Sequence, residues 1–203
     1  YQSSHQIMFV NYMPFLCLTF LGIDRYFEKK QSGLLIGGTF LMIMTSFYFS
    51  IGGILALGLY GIYRYARTKE RAEETVTVKG FMGDGIQFAG RILTAIMLAG
   101  VLLVPTAMAL LGRSRSRGEK VNFLQLLIPQ INLKKFLYGA YGPGLSCLVL
   151  IILLTGLFYK KAYEKILSLG CLVVLTVPFF SYLLNGALYI RPKSLIPFLP
   201  LLC

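Results

Sequence analysis

The chain has 203 residues, 56 % of them hydrophobic and only 14 % charged, with a mean hydropathy of +0.69 and a net charge of +12. A soluble domain covers its surface with about a quarter charged residues, so this composition excludes an ordinary water-soluble globule. The charges fall in short runs between apolar stretches, which puts the positive excess beside anionic lipid head groups and argues against a nucleic-acid partner.

In chain order the first apolar segment is "IMFVNYMPFLCLTFLGI", residues 7–23, followed by the charged "DRYFEKK". The second is a ribbon over residues 33–63. At 1.5 Å per residue its helix would measure roughly 46 Å, too long for one upright crossing and short for two. It fits either one tilted helix or, preferred here, a hairpin of two short helices that breaks around Ser46–Phe49. In either arrangement eleven lysines and arginines fall on one side of the membrane and eight on the other, too even a split to fix the orientation. Gly52 and Ala56 form a small-xxx-small pair suited to close helix packing. Tyr60, Tyr63 and Tyr65 beside Arg64 and Arg67 read as an interfacial belt.

Residues 66–86 read as a polar loop of mixed charge, with Asp84 in "GDG" as a turn residue. Residues 87–111 read as one spanning helix in which Pro105 is tolerated. Residues 112–141 form the longest connection, opening with "GRSRSRGEK"; within it "NFLQLLI" suits a short helix lying in the interface until Pro129 stops it. Two further spans cover 142–159 and 165–184, and a sixth begins near Ser194. The chain starts at Tyr1 and stops inside an apolar run, so an internal piece of a longer multi-pass protein is expected, with an all-α transmembrane bundle as its fold.

Chemistry-bearing residues are sparse. Cys17, Cys147, Cys171 and Cys203 sit in apolar segments without a paired spacing, and His5 is the one histidine, a poor basis for disulfides or zinc. No cofactor is identifiable, while a divalent metal stays open. None of the eight carboxylates lies mid-span, where ion-coupled pumps place them. Ser3, Ser4 and His5 adjoin without an acid nearby, which is weak support for a nucleophile. Asn11 and Asn185, in or bordering spans, need hydrogen-bond partners; helix-to-helix bonding competes with a role in a membrane-level polar cavity. In the hairpin topology Lys134, Lys135, Arg191 and Lys193 share one side, where cations suit a polyprenyl phosphate or an anionic polymer. Ordinary head-group anchoring is the simpler use of the same charges.

Four stretches in succession, "FVNYMPFLCLTFLGIDRYFEKK", "FLMIMTSFYFSIGGILALGLYGIYRYAR", "VLLVPTAMALLGRSR" and "NGALYIRPKSLIPFLPLL", resemble the bacterial YfhO family across nearly the whole chain. That resemblance implies a glycosyltransferase-like fold of the GT-C type in the bacterial cell membrane. It also implies transfer of a sugar from a polyprenyl-phosphate carrier to a cell-envelope polymer such as lipoteichoic acid. In such folds the catalytic acid lies in the first large outer loop, expected before Tyr1, so no catalytic residue is assigned. The wall of the substrate cavity is expected from His5, Asn11, the basic 112–141 connection (Lys134 and Lys135) and Asn185 to Lys193, with Arg191 between them. A lipid or polymer transporter or flippase is the competing reading, and a non-catalytic scaffold a third.

Overall fold

A computed structural model describes residues 11–111, 126–129, 147–185 and 192–201. Every regular element among them is helical and none is a strand, in agreement with the expected all-α class. The chain divides into two compact units, Ser3–Arg113 and Ser114–Cys203.

The first unit contains α1 (Met13–Lys29), α2 (Gly33–Thr45), α3 (Phe47–Arg71), α4 (Val78–Leu98) and α5 (Gly100–Leu111). Pro14 sits in the first turn of α1, where a missing N–H costs nothing. Leu16, Phe20, Ile23 and Phe27 recur at three- and four-residue spacing and are buried, one apolar stripe of a helix. α1 runs six residues past the apolar segment, through Asp24 and Glu28. It closes at Lys30, whose left-handed backbone (φ 56°) returns its N–H to the Tyr26 carbonyl at 3.0 Å.

α1 and α2 then pack closely. A Cβ added at Gly22 would lie 2.6 Å from the Leu35 nitrogen, and one at Gly38 would lie 2.6 Å from the Thr19 Oγ1. The first obstacle is backbone, so only a residue without a side chain fits there.

The 33–63 ribbon is two helices. Ser46, with φ −152° and ψ 99°, is extended and separates α2 from α3. Its carbonyl accepts from the Ser50 N–H and the Ser50 hydroxyl, so the backbone group freed by the break is satisfied locally. Gly52 and Ala56 of the small-residue pair are both buried. Next door, a Cβ added at Gly53 would lie 2.7 Å from the Met42 sulfur.

Residues 66–86 are not the long loop the mixed charge implied. α3 continues to Arg71 and α4 starts at Val78, leaving 72–77 as the connection. Ala66, Lys69, Glu70 and Arg71 are good helix formers, and the basic pair in the last turn complements the helix dipole. The reversal falls at Glu73, whose φ is 54°. Asp84 is accordingly on a helix and not in a turn.

Residues 87–111 differ from a single straight span. α4 and α5 meet at Ala99 with a 70° bend. The Leu102 and Leu103 N–H groups both return to the Ala99 carbonyl at 3.0 Å, which satisfies that carbonyl at the bend. Pro105 lies within α5.

In the second unit α6 (Cys147–Gly156) packs on α7 (Ala162–Thr176), followed by α8 (Pro178–Leu184) and a 3₁₀ stretch, Pro192–Leu201. The 165–184 segment is also broken: α7 and α8 meet at 74°. Pro178 has no N–H to offer the preceding turn, and it pushes Val177 into extended backbone at φ −87°, ψ 113°. Leu184, Leu195 and Phe198 are buried where α8 meets the 3₁₀ stretch.

No single helix among the described residues is long and apolar enough to cross a membrane, whereas these two bent pairs are by length and composition. Of the proposed interfacial helix 122–128, Leu126 and Leu127 are helical and the residues before them lie outside the described segments. The same holds for nearly all of the 112–141 connection.

Candidate functional site

Two polar features stand out in the first unit. One joins α1 to α3. Asp24 and Glu28, four residues apart, occupy one face of α1. Opposite them, Arg64 of α3 is only 5 % exposed. Its Nη2 donates to Glu28 Oε1 at 2.6 Å, and its Nε lies 2.7 Å from Asp24 Oδ1. The Nε contact is an ion pair and not a hydrogen bond, because the N–H is not aimed at that oxygen. Tyr60 donates its hydroxyl to the same Asp24 oxygen at 2.9 Å.

The sequence marked Arg64 as a head-group anchor. It is instead turned inward, compensated by two carboxylates 36 and 40 positions away in sequence. Sequence reasoning missed the pairing because those acids look like ordinary solvated charges. The available signal was their four-residue spacing, matched by Tyr60 and Arg64 at the same spacing. The arrangement ties α1 to α3, which is a structural use of these charges.

The other feature is a groove of about 200 Å³ between α3 and α4, floored by Phe27 of α1. Gly58 and Gly61 of α3 and Gly85 of α4 open it; Tyr65, Phe81 and Phe88 wall it; Asp84 lies along it. The rings form one cluster, with Phe27 to Tyr65 at 6.3 Å, Phe27 to Phe88 at 5.8 Å and Tyr65 to Phe81 at 5.4 Å between centroids. Tyr65 is 5 % exposed, and its buried hydroxyl has no hydrogen-bond partner among the described residues. Phe81, Asp84, Phe88 and Arg91 share a face of α4 at helical spacing. A carboxylate in a turn was expected at 84; the helix instead delivers it into an aromatic groove.

The residues expected to line a substrate cavity are only partly placed. His5, Lys134, Lys135 and Arg191 lie outside the described residues. Lys193 belongs by its backbone to the 3₁₀ stretch. Asn11 is exposed in the turn before α1. Asn185 is 2 % exposed and follows α8. Its amide donates to the Ser181 carbonyl at 2.5 Å and to the Ser194 hydroxyl at 3.2 Å, so it ties α8 to the 3₁₀ stretch. That is the helix-to-helix use of a buried amide. Asn11 and Asn185 belong to different units.

Cys17 is exposed and Cys171 is buried. Cys171 packs as a small hydrophobe. Among the described residues no three His, Cys, Asp or Glu side chains cluster as metal ligands would.

The family model described as bacterial membrane protein YfhO matches residues 2–188. No curated protein and no solved structure matches the chain.

Proposed function

This chain belongs to the YfhO family of bacterial membrane proteins, and on that premise we propose that it is part of a multi-pass membrane glycosyltransferase of the GT-C type. Its donor is a sugar on a polyprenyl-phosphate carrier, and its acceptor is an anionic envelope polymer such as lipoteichoic acid. The observation that carries this reading is the family match over residues 2–188. The physical setting is compatible with it. A lipid-linked donor needs a protein surface within the membrane, and interrupted helices are tolerated at that depth where they are covered by protein or line a cavity. The two bent apolar pairs are of that kind.

In the reaction, a base takes the proton of the acceptor hydroxyl as its oxygen bonds to the sugar's anomeric carbon. The bond from that carbon to the carrier phosphate breaks, and the phosphate leaves with the electron pair. Lysine and arginine beside the departing phosphate stabilise the charge it gains. Arg191, Lys193, Lys134 and Lys135 are the cations proposed for that role, with His5, Asn11 and Asn185 as cavity wall. The buried bonds of Asn185 restrict it to holding that wall.

The test is transfer in membranes from cells lacking the chromosomal copy, supplied with the complete protein or its variants. The double variant Lys134→Ala, Arg191→Ala should cut sugar incorporation into the polymer by at least tenfold, the effect of losing one to two charge-assisted contacts, with normal protein levels. Undiminished incorporation by a well-expressed double variant removes these cations from the mechanism.

A lipid or polymer flippase is the second reading, favoured by the same bent pairs, since discontinuous helices also build transporter sites. It predicts movement of a labelled lipid across proteoliposomes without any sugar donor. The glycosyltransferase predicts none.

A further inference from the structure

Among its described residues, the α1–α2–α3 layer of the first unit is charged at one end only. α1 and α3 run side by side in the same direction: the Tyr12 and Phe49 rings stack at 5.3 Å, Tyr60 donates to Asp24 at 2.9 Å, and Arg64 donates to Glu28 at 2.6 Å. α2 runs back along α1, with Leu35 against Gly22 and Gly38 against Thr19. No charged residue occurs in 11–23 or 31–63, whereas 24–30 and 64–71 are rich in both signs. Those two runs meet where α1 and α3 finish and α2 starts. A layer of charge with Tyr60, Tyr63 and Tyr65 beside it marks one border of the hydrocarbon.

The other end of the α2–α3 hairpin falls short of the second border. α2 has 13 residues, about 20 Å of helix, and a crossing takes ~30 Å. Ser46, the extended residue that ends α2, therefore lies about 10 Å inside the hydrocarbon. α1 reaches the same depth at Tyr12, through its stack on Phe49, and Asn11 adjoins it. Asn11 and Thr45 are exposed at that level, and Ser46 is half-buried. Three surroundings can be weighed. Lipid tails offer no partner to the Asn11 carboxamide or to the backbone of a broken helix, the costly outcome. The described residues do not cover the turn, since Met44 is 42 % and Ile51 45 % exposed beside it. Water satisfies amide, hydroxyl and backbone together, and non-helical backbone is tolerated at membrane depth where it lines a water-filled cavity. The lack of charge fits as well: a recess within hydrocarbon penalises ions far more than amides and hydroxyls.

We propose that α2 and the start of α3 form a re-entrant hairpin that turns at Ser46 inside the membrane, and that Asn11, Thr45 and Ser46 border a water-filled recess open to the face opposite the charged end. The proposal rests on the membrane setting of the family and not on sugar transfer, so its failure leaves the transfer reading standing.

The probe is a nitroxide at Asn11, Thr45, Met44 or Ile51, one site at a time, carried on a genetically encoded keto amino acid so that the native cysteines stay. All four side chains are exposed, so the label displaces no packing. The complete protein is studied in phosphatidylglycerol nanodiscs. EPR saturation measures how often each label collides with oxygen, which concentrates in lipid, and with a neutral nickel chelate, which stays in water. Met44 and Ile51 should be oxygen-dominated. Asn11 and Thr45 should be nickel-dominated, with nickel collisions about tenfold above those at Met44, because a polar chelate partitions poorly into hydrocarbon. A recess requires such opposite signals from neighbours at one depth. High nickel collision at Met44 or Ile51 puts the turn at the membrane surface and overturns the proposal. Low nickel collision at Asn11 or Thr45 overturns it too: high oxygen there means that lipid surrounds the turn, and low oxygen means that protein covers it.

Discussion

Gly22 carries more of the first unit than its size implies. It lies where the α2 backbone crosses α1, and three backbone atoms of Leu34 and Leu35 lie 2.6–2.8 Å from the position of an added Cβ. None can move without prising the two helices apart. Gly22→Ala is therefore expected to destabilise the protein by about 1–3 kcal/mol, the cost of overpacking a tight core. Gly37→Ala, where an added Cβ meets nothing within 4 Å, should be neutral or stabilising by about 0.5–1 kcal/mol. Thermal unfolding in detergent measures both, and equal shifts for the two would refute the close-approach account. The sequence pointed to Gly52 and Ala56 as the close pair because their spacing matches a known motif. It was silent on Gly22, which shares no spacing with its partner: Leu35 belongs to another helix. Arg64 was misread for a related reason. A charge at the end of an apolar ribbon has the same local signature whether it reaches head groups or turns onto Asp24 and Glu28.

At the scale of elements, apolar runs showed where helices form but not where they break. One of the three breaks had a visible cause that the run of leucine and valine outweighed. Pro178 sits inside the 165–184 segment and splits it, because a proline ring cannot follow a helical residue without displacing it. The break at Ser46 falls inside the range expected from ribbon length alone. Pro178→Ala should let α7 run on into α8. With spin labels at Lys165 and Leu183, the distance would lengthen toward ~27 Å, the span of eighteen residues of straight helix. A distance distribution unchanged from that of the parent protein would mean that tertiary packing, and not the proline, holds the 74° bend. The Asn185 bonds to Ser181 and Ser194 also hold the far end of α8. That amide needed a partner, as its place beside an apolar span implied; which group it found is a matter of the 3₁₀ stretch folding back on α8.

For the molecule as a whole, the solvent is the governing variable. Met97, Val101 and Phe158 are 73 %, 84 % and 86 % exposed, and in a chain of a bacterial membrane protein family lipid is the cover expected for such side chains. In nanodiscs a photoactivated, lipid-soluble carbene should label these side chains heavily and leave Leu35, Met42 and Phe198 untouched. Labelling of the first three by hydroxyl radicals from water would contradict a lipid environment. Composition and charge placement alone pointed to the helical class and the approximate positions of the apolar segments, because each depends on averages over many residues; the family was legible only in the succession of four particular stretches. Tertiary structure decided what depends on pairs: the Asp24–Arg64–Glu28 lock, the Gly22 crossing, and the gathering of Phe27, Tyr65 and Phe88 beside one groove. The lock and the crossing join residues 12 to 40 positions apart, and a linear pattern carries no term for which of two similar helix faces will find the other.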